Sequence, residues 1–338
     1  MGLLSRTLPA LLPLVLGLVA GCVGDDGDGD ALVVYSAGPR PLAEAVIDDF
    51  VRETGVTVEF FGATTGQVMA RLEAERYRPR ADVVIFASEV AAEALKADDR
   101  LLRYPDPDWV DATEAGWHDP DSYYYATSAA LVGMAVREDR HQDGLDWATV
   151  FDGDFQGRVT MPSPSRSGSA ADFVVAYALS EDAMWADFLG LRRSGLDFAA
   201  ANSQAISGLL VGTYDLILGA VDYLIYRQIA DGAPVVMHYP PSGSAMVRRP
   251  IAIMAGTGAP DAARAFVDFY FTEPVQRRVA DEHLLPARRD TEPSSTRGTR
   301  ELPPLFQDDV EAALASQNRV LRRFQIEIER AEVVRGDD

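Results

Sequence analysis

The sequence predicts an α/β protein made of two lobes, each a set of βα units on a mostly parallel sheet. Two patterns predict it. Short apolar runs alternate with amphipathic helical stretches at close intervals along most of the chain. Between two such series, around residues 123–136, the pattern lengthens into extended segments suited to crossing from one lobe to the other. With 338 residues, 47% of them hydrophobic, the chain is long and apolar enough for two lobes of ordinary domain size.

Leu32-Val33-Val34-Tyr35 reads as a buried strand that ends at Ser36-Ala37-Gly38-Pro39. A helix follows, with Leu42, Val46, Ile47, Phe50 and Val51 on one stripe and Gly55 as its stop. Val56, Val58 and Phe60 alternate as a strand; the Gly62–Gly66 segment turns into a helix carrying Val68, Met69 and Leu72. Asp82–Phe86 is a continuous apolar strand, followed by a helix over Glu89–Ala97. Tyr123–Tyr125 and Leu131–Val136 are the extended segments. A second α/β series begins at Gly157–Met161 and continues through helices at Ala170–Leu179, Ala183–Arg193 and Ala205–Gly212 and a strand at Asp215–Leu218. Asp222 opens another helix, and Pro234–His238 and Ile251–Met254 are strands. Helices at Asp261–Phe271 and after Pro274 precede a long C-terminal helix with Leu314, Val320, Leu321, Phe324 and Ile328. The expected division puts 31–126 and 245–338 in lobe 1 and 127–244 in lobe 2.

Ahead of these elements, Arg6 and an apolar run from Leu8 to Ala20 read as a secretory signal, too short to span a bilayer permanently. It ends in Val19-Ala20-Gly21-Cys22, which looks like a bacterial lipobox, with Cys22 the only cysteine in the chain. The expectation is a signal peptide over 1–21, cleavage before Cys22, lipid on that thiol, and an acidic flexible tether over 22–30. The chain would then be exported and lipid-anchored, in the periplasm or at the outer face of the cytoplasmic membrane. A lone cysteine rules out an intrachain disulfide framework.

The formal net charge is -21, and Lys96 is the only lysine among 31 basic residues. That surface repels nucleic acid, and no basic stripe interrupts it. Catalytic signatures are poor: His118, His141, His238 and His283 lie far apart, and the Gly-x-Ser-x-Gly and glycine-rich phosphate-loop motifs are missing. No catalytic residue, no cofactor and no resident metal is expected.

Four loops rich in small donors lie where strands lead into helices, the place where open α/β sheets bind ligands. They are Ser36-Ala37-Gly38, Thr64-Thr65-Gly66, the 163–169 segment ending in Ser167-Gly168-Ser169, and Asn202-Ser203-Gln204. Ser167-Gly168-Ser169 is the sharpest, since glycine allows close backbone approach and free N–H groups converge at a helix N-terminus. That arrangement suits a phosphate, phosphonate, carboxylate or carbonate, although capping alone accounts for any one such serine. Asp222 is either an N-cap or a carboxylate that accepts from ligand hydroxyl or ammonium groups or ligates a metal. Tyr223 is a phenolate ligand, a stacking surface or core. Glu89 is a first-turn acid or a cleft carboxylate.

Several stretches together resemble the type II periplasmic solute-binding proteins of ABC importers, in the branch that holds ferric-iron, hexose-phosphate and 2-aminoethylphosphonate binders. They are Val34–Gly38, Arg71–Glu75 leading to Arg80–Val83, Phe155–Pro162 leading to Ser167–Ser169, Gly232–Pro234 with Pro241–Gly243, and Ala263–Phe269 through Pro274–Gln276 to Pro286. The resemblance implies two Rossmann-like lobes joined by two extended hinge crossings. A monomer would close on a small-molecule ligand and deliver it to a membrane permease driven by an ATPase subunit, with no chemistry of its own. Ser36, Ala37, Thr65, Glu89, Ser167, Gly168, Ser169, Asn202, Asp222 and Tyr223 are the expected ligand residues. Ferric binders of the branch carry adjacent tyrosines where this chain has Asp222-Tyr223-Leu224. The favoured ligand is therefore a small anionic or zwitterionic solute of the phosphonate or sugar-phosphate type, with Asp222 reading its polar end. Ferric iron, held by Glu89 and Tyr223, is the alternative.

Overall fold

The computed structural model describes residues 31–155, 157–306 and 309–331. The expected signal, tether and Cys22 lie outside these residues. The first βα series comprises β1 (Leu32–Ser36), α1 (Arg40–Thr54), β2 (Val58–Gly62), α2 (Thr65–Ala74), β3 (Val83–Ile85) and α3 (Glu89–Ala97), followed by the two-residue β4 (Leu101–Leu102). Pro41 lies in the first turn of α1, where a missing N–H is harmless, and Gly55 ends it at φ 74° with its N–H on Val51 O. The two extended segments read separately from the sequence are one strand, β5 (Tyr124–Arg137), buried almost throughout.

The second series runs α4 (Trp147–Phe151), β6 (Val159–Pro162), α5 (Gly168–Ser180), α6 (Met184–Arg193), β7 (Asp197–Ala199), α7 (Asn202–Leu210), β8 (Leu216–Val221), α8 (Asp222–Ala230) and β9 (Val235–His238). The chain then returns along β10 (Ala245–Met254), α9 (Pro260–Tyr270), α10 (Glu273–Asp281) and β11 (Leu285–Pro286), and ends with α11 (Val310–Phe324) and a π-helical turn at Gln325–Glu329.

The main sheet order is β2-β1-β3-β10-β5-β8-β6-β7. Strands β1, β2 and β3 pair in parallel at one end, and β6, β7 and β8 do so at the other. The long strands β5 and β10 run antiparallel between the two groups. The C-terminal half of β10 pairs with β3, and its N-terminal half pairs with β5 from Ala129 to Val132. Beyond that point β5 pairs with β8 and β9. Strand β10 thus joins the first parallel group to β5, and β5 joins β10 to the second group. The sequence shows only the Ile251–Met254 part of β10, because Arg248-Arg249-Pro250 reads as a break. The register shift at Arg248/Pro250 accommodates the proline inside the strand.

Phe50 on α1 packs edge-on to Phe266 and Phe269 of α9, with ring centroids 5.0 and 5.5 Å apart. The other end has its own aromatic core around Trp147, Phe173, Tyr177, Phe188 and Phe306. Helix α9 packs against α1, whereas α11 lies against both α3 and α5, and Phe324 packs on Phe188 of α6 at 5.0 Å. Its apolar stripe gave a helix but no address, since either aromatic core could have buried it.

Candidate functional site

Four helix N-termini meet around one hollow of about 310 Å³, those of α2, α5, α7 and α8. The lining comes from Ala37 after β1, Thr65 at the start of α2, Ser167, Gly168 and Ser169 at the start of α5, Asn202 at the start of α7, and Tyr223 at the start of α8. Each strand end delivers its helix to the same side of the sheet, so loops far apart in sequence become neighbours. Gly168 faces Thr65 across the hollow, where a β-carbon would sit 3.9 Å from Thr65 Oγ1.

The helix starts are of two kinds. Helix α2 opens with a reciprocal capping box between Thr64 and Gln67, and the Ser167 hydroxyl caps α5 by accepting from Ala170 N at 3.3 Å. Among the described residues no side chain caps α7 or α8, and Asn202, Ser203, Tyr223 and Leu224 at their starts line the hollow. The positive ends of both helix dipoles thus lie at its wall. Asn202 Nδ2 donates to Ser167 Oγ at 3.3 Å and Ser169 Oγ at 3.4 Å, while its Oδ1 is buried with no hydrogen-bond partner among the described residues.

Arg249 of β10 forms part of the wall and is 5% exposed. Its Nη2 donates to Ala37 O at 3.0 Å, and its guanidinium carbon lies 5.8 Å from the centroid of the Tyr223 ring. Among the described residues no carboxylate pairs with it. Arg166 adds a second, exposed guanidinium at the rim, and among the described residues no Asp or Glu lines the hollow. In a chain with 52 acidic residues, that exclusion is a selective electrostatic feature. Sequence reasoning missed Arg249 because it sits inside a strand next to proline, away from any donor-rich loop.

Three expected ligand residues stand elsewhere. Ser36 is 1% exposed, and its hydroxyl accepts from Gly38 N at 3.0 Å, so it shapes the turn that presents Ala37. Glu89 forms an ion pair with Arg248 at 2.8 Å and borders a separate small hollow of about 60 Å³. Asp222, fully buried, is bonded by the Arg297 guanidinium and accepts from the Tyr239 hydroxyl at 3.0 Å. Burial pushes its carboxyl pKa up, opposed by Arg297. Asp222 thus ties the start of α8 to the 297 segment and does not border the cavity. The Glu89–Tyr223 pair considered for iron is not assembled either, since only Tyr223 reaches the hollow. No group of three or more His, Cys, Asp or Glu among the described residues could hold a metal ion.

Similarity to known proteins follows the same outline. Residues 31–283 match the family described as bacterial extracellular solute-binding protein. The probable ABC transporter periplasmic-binding protein y4fP of Sinorhizobium fredii is 24% identical over 316 residues, covering 88% of this chain and 87% of that protein. Among solved structures, the periplasmic binding protein AfuA from Actinobacillus pleuropneumoniae, with fructose-6-phosphate bound, superposes with a TM-score of 0.79 at 21% identity. That match covers 89% of this chain and 99% of AfuA. The ferric binding protein from Campylobacter jejuni gives 0.78 at 17% identity, over 88% and 99% of the two chains. The fold is that of type II periplasmic binding proteins. With three-quarters of its length matched, its crossing strands between two βα groups and its cavity at their helix N-termini, the chain belongs to the bacterial extracellular solute-binding proteins, as a periplasmic component of an ABC importer.

Proposed function

We propose that this protein captures a small phosphorylated or phosphonate-type organic anion between its two lobes and hands it to the importer's permease, tethered meanwhile to membrane through lipid on Cys22. One observation carries the reading. Among the described residues, a protein of formal charge -21 lines this hollow with no carboxylate, but with a buried arginine that pairs with no acid and with uncapped helix N-termini. Such a site replaces the water around a phosphoryl group with fixed donors. The sugar phosphate bound by AfuA has this chemistry. Closure of two lobes around the anion would create the shape the permease recognises.

The iron reading draws support from Tyr223 at the cavity wall and from the ferric binding protein among the structural neighbours. Fe(III) needs several anionic oxygens, and one phenolate beside a guanidinium is poor company for it. Isothermal titration calorimetry on metal-free protein, with a panel of sugar phosphates, alkyl phosphonates and carboxylates, tests the choice. At least one phosphoryl or phosphonyl compound binds. The Ser167→Ala/Ser169→Ala double variant weakens it about 10–30-fold, roughly one kcal/mol per lost hydroxyl. Silence from every anion, with a visible tyrosinate-to-iron band on adding ferric citrate, would transfer the assignment to iron.

A further inference from the structure

The anion site is one end of a longer space. A second hollow of about 570 Å³ adjoins it, sharing Thr64, Thr65, Arg166, Ser167 and Gly168. Ser88, Asp172 and Gln317 lie in the wall of this second hollow and not in that of the first. Asp172 stands one turn along α5 from Gly168 and is, among the described residues, the single acid lining it. Asp172 Oδ1 accepts the Ser88 hydroxyl at 3.0 Å, so a residue of the first βα series touches one of the second here. Among the described residues no arginine or lysine pairs with this carboxyl group.

The surroundings leave it short of positive charge. Glu89 at the start of α3 faces it, and the nearby guanidinium, Arg248 of β10, is ion-paired with Glu89. Asp309 ahead of α11 shares the lining of the small hollow with Asp172 and Glu89, its Oδ1 capping that helix by accepting from Ala312 N. Arg166, at the shared rim, is exposed. Burial and the Glu89 charge push the Asp172 pKa up to about 7, against the Ser88 hydrogen bond. A half-buried carboxylate beside a like charge, with no cation paired to it among the described residues, is unfavourable. A cation arriving with a ligand would relieve it.

We propose that Asp172 is a specificity-determining residue that binds a cationic amine on the ligand, so that the captured solute is bipolar, its phosphoryl or phosphonyl end at Arg249 and its ammonium at Asp172. This rests on the anion reading above and narrows its substrate class. The same field that excludes acids from one hollow and leaves one acid in the next sorts zwitterions from plain anions. An amine-free phosphate would leave Asp172 as it is in the free protein, and binding a second anion there would add repulsion.

Matched ligand pairs test this by titration calorimetry: 2-aminoethylphosphonate against ethylphosphonate, and phosphoethanolamine against ethyl phosphate, with wild type, Asp172→Asn, Ser88→Ala and Arg249→Met. In wild type the amine member of a pair binds about tenfold tighter or more, the worth of one charge-assisted hydrogen bond. Asp172→Asn removes that preference and changes the amine-free member by less than about threefold. Ser88→Ala, which takes away the contact but not the carboxylate, keeps the preference. At pH near 7, binding of the amine also releases protons as Asp172 ionises beside it, read from heats in buffers of different ionisation enthalpy; the Asp172→Asn protein releases fewer, only those from the ligand's own phosphoryl or phosphonyl group. Equal losses for both members in Asp172→Asn would reduce the residue to a strut between Ser88 and α5 and overturn the inference. So would wild type without amine preference, even with the anions still bound and Arg249→Met still impaired. If no phosphate or phosphonate binds and Arg249→Met behaves as wild type, the anion reading itself fails and this inference falls with it.

Discussion

Replacing Arg249 by methionine separates a residue kept for binding from one kept for stability. In the free protein Arg249 is 5% exposed, has Ala37 O as a hydrogen-bond acceptor at 3.0 Å, and pairs with no carboxylate among the described residues. Losing that bond leaves one carbonyl without its donor, about 1–3 kcal/mol, while removing a buried unpaired cation offsets a similar amount. The unliganded variant should therefore stay within about 2 kcal/mol of wild type in urea denaturation. Binding tells the opposite story. Truncating one side of a buried charged contact costs about 2–5 kcal/mol, and taking about 3 gives roughly a 150-fold weaker Kd. At ligand a hundredfold above the wild-type Kd, wild type gains about 2.7 kcal/mol and the variant about 0.3. With unfolding entropy of about 2.1 cal/mol/K per residue over roughly 300 residues, this is a ligand-induced rise of about 4 °C in wild type against less than about 1 °C in the variant. The assay is thermal denaturation with and without a phosphoryl ligand identified by calorimetry. An Arg249→Met protein that keeps wild-type affinity, or one that unfolds without ligand, would refute the argument that the guanidinium is held there for an anion.

Two further tests address the scaffold that carries the site. A β-carbon at Gly133 of β5 would lie 2.5 Å from the backbone oxygen of His238, which cannot swing aside; Gly133→Ala should cost about 1–3 kcal/mol or more in urea denaturation by forcing β9 off β5, and an unchanged midpoint would contradict the tight pairing. Burial alone would raise the Asp215 carboxyl, but the Arg158 N–H at 2.9 Å and its guanidinium Nε at 3.3 Å hold the pKa below the usual carboxylate value. A depressed folded pKa gives stability that is complete above the unfolded pKa, near 4, and is lost as pH falls through the lower folded value. Asp215→Asn should flatten that part of the acid limb below pH about 4 and lower stability at pH 7; an acid limb identical to wild type would deny the linkage.

Most of the elements were legible because their signals are local. Alternating and continuous apolar runs gave β1, β3, β6 and β8, the stripe through Leu42, Val46 and Phe50 gave α1, and Gly55 gave its end. The donor-rich loops were legible too, since small residues between a strand and a helix point to ligand contact wherever the strands end. The sequence failed where meaning depends on a partner. Arg248-Arg249-Pro250 reads as an interruption until β5 pairs beside it and buries Arg249 behind Ala37 and Tyr223.

By itself the sequence determined the α/β class, the order of nearly all its elements and the four donor-rich loops between strands and helices, because hydrophobic period and turn residues are written in short windows. Only the tertiary structure decided which of those loops share a cavity and which acids stay out of it. It turned Asp222 from a ligand candidate into the buried partner of Arg297, put Glu89 on Arg248, and left Asp172 beside the hollow with no cation paired to it among the described residues. The physical reason is that a charge's role is fixed by what it pairs with and how far it is from water. For residues 100 or more positions apart, as Glu89 and Arg248 are, no short window of sequence contains that information.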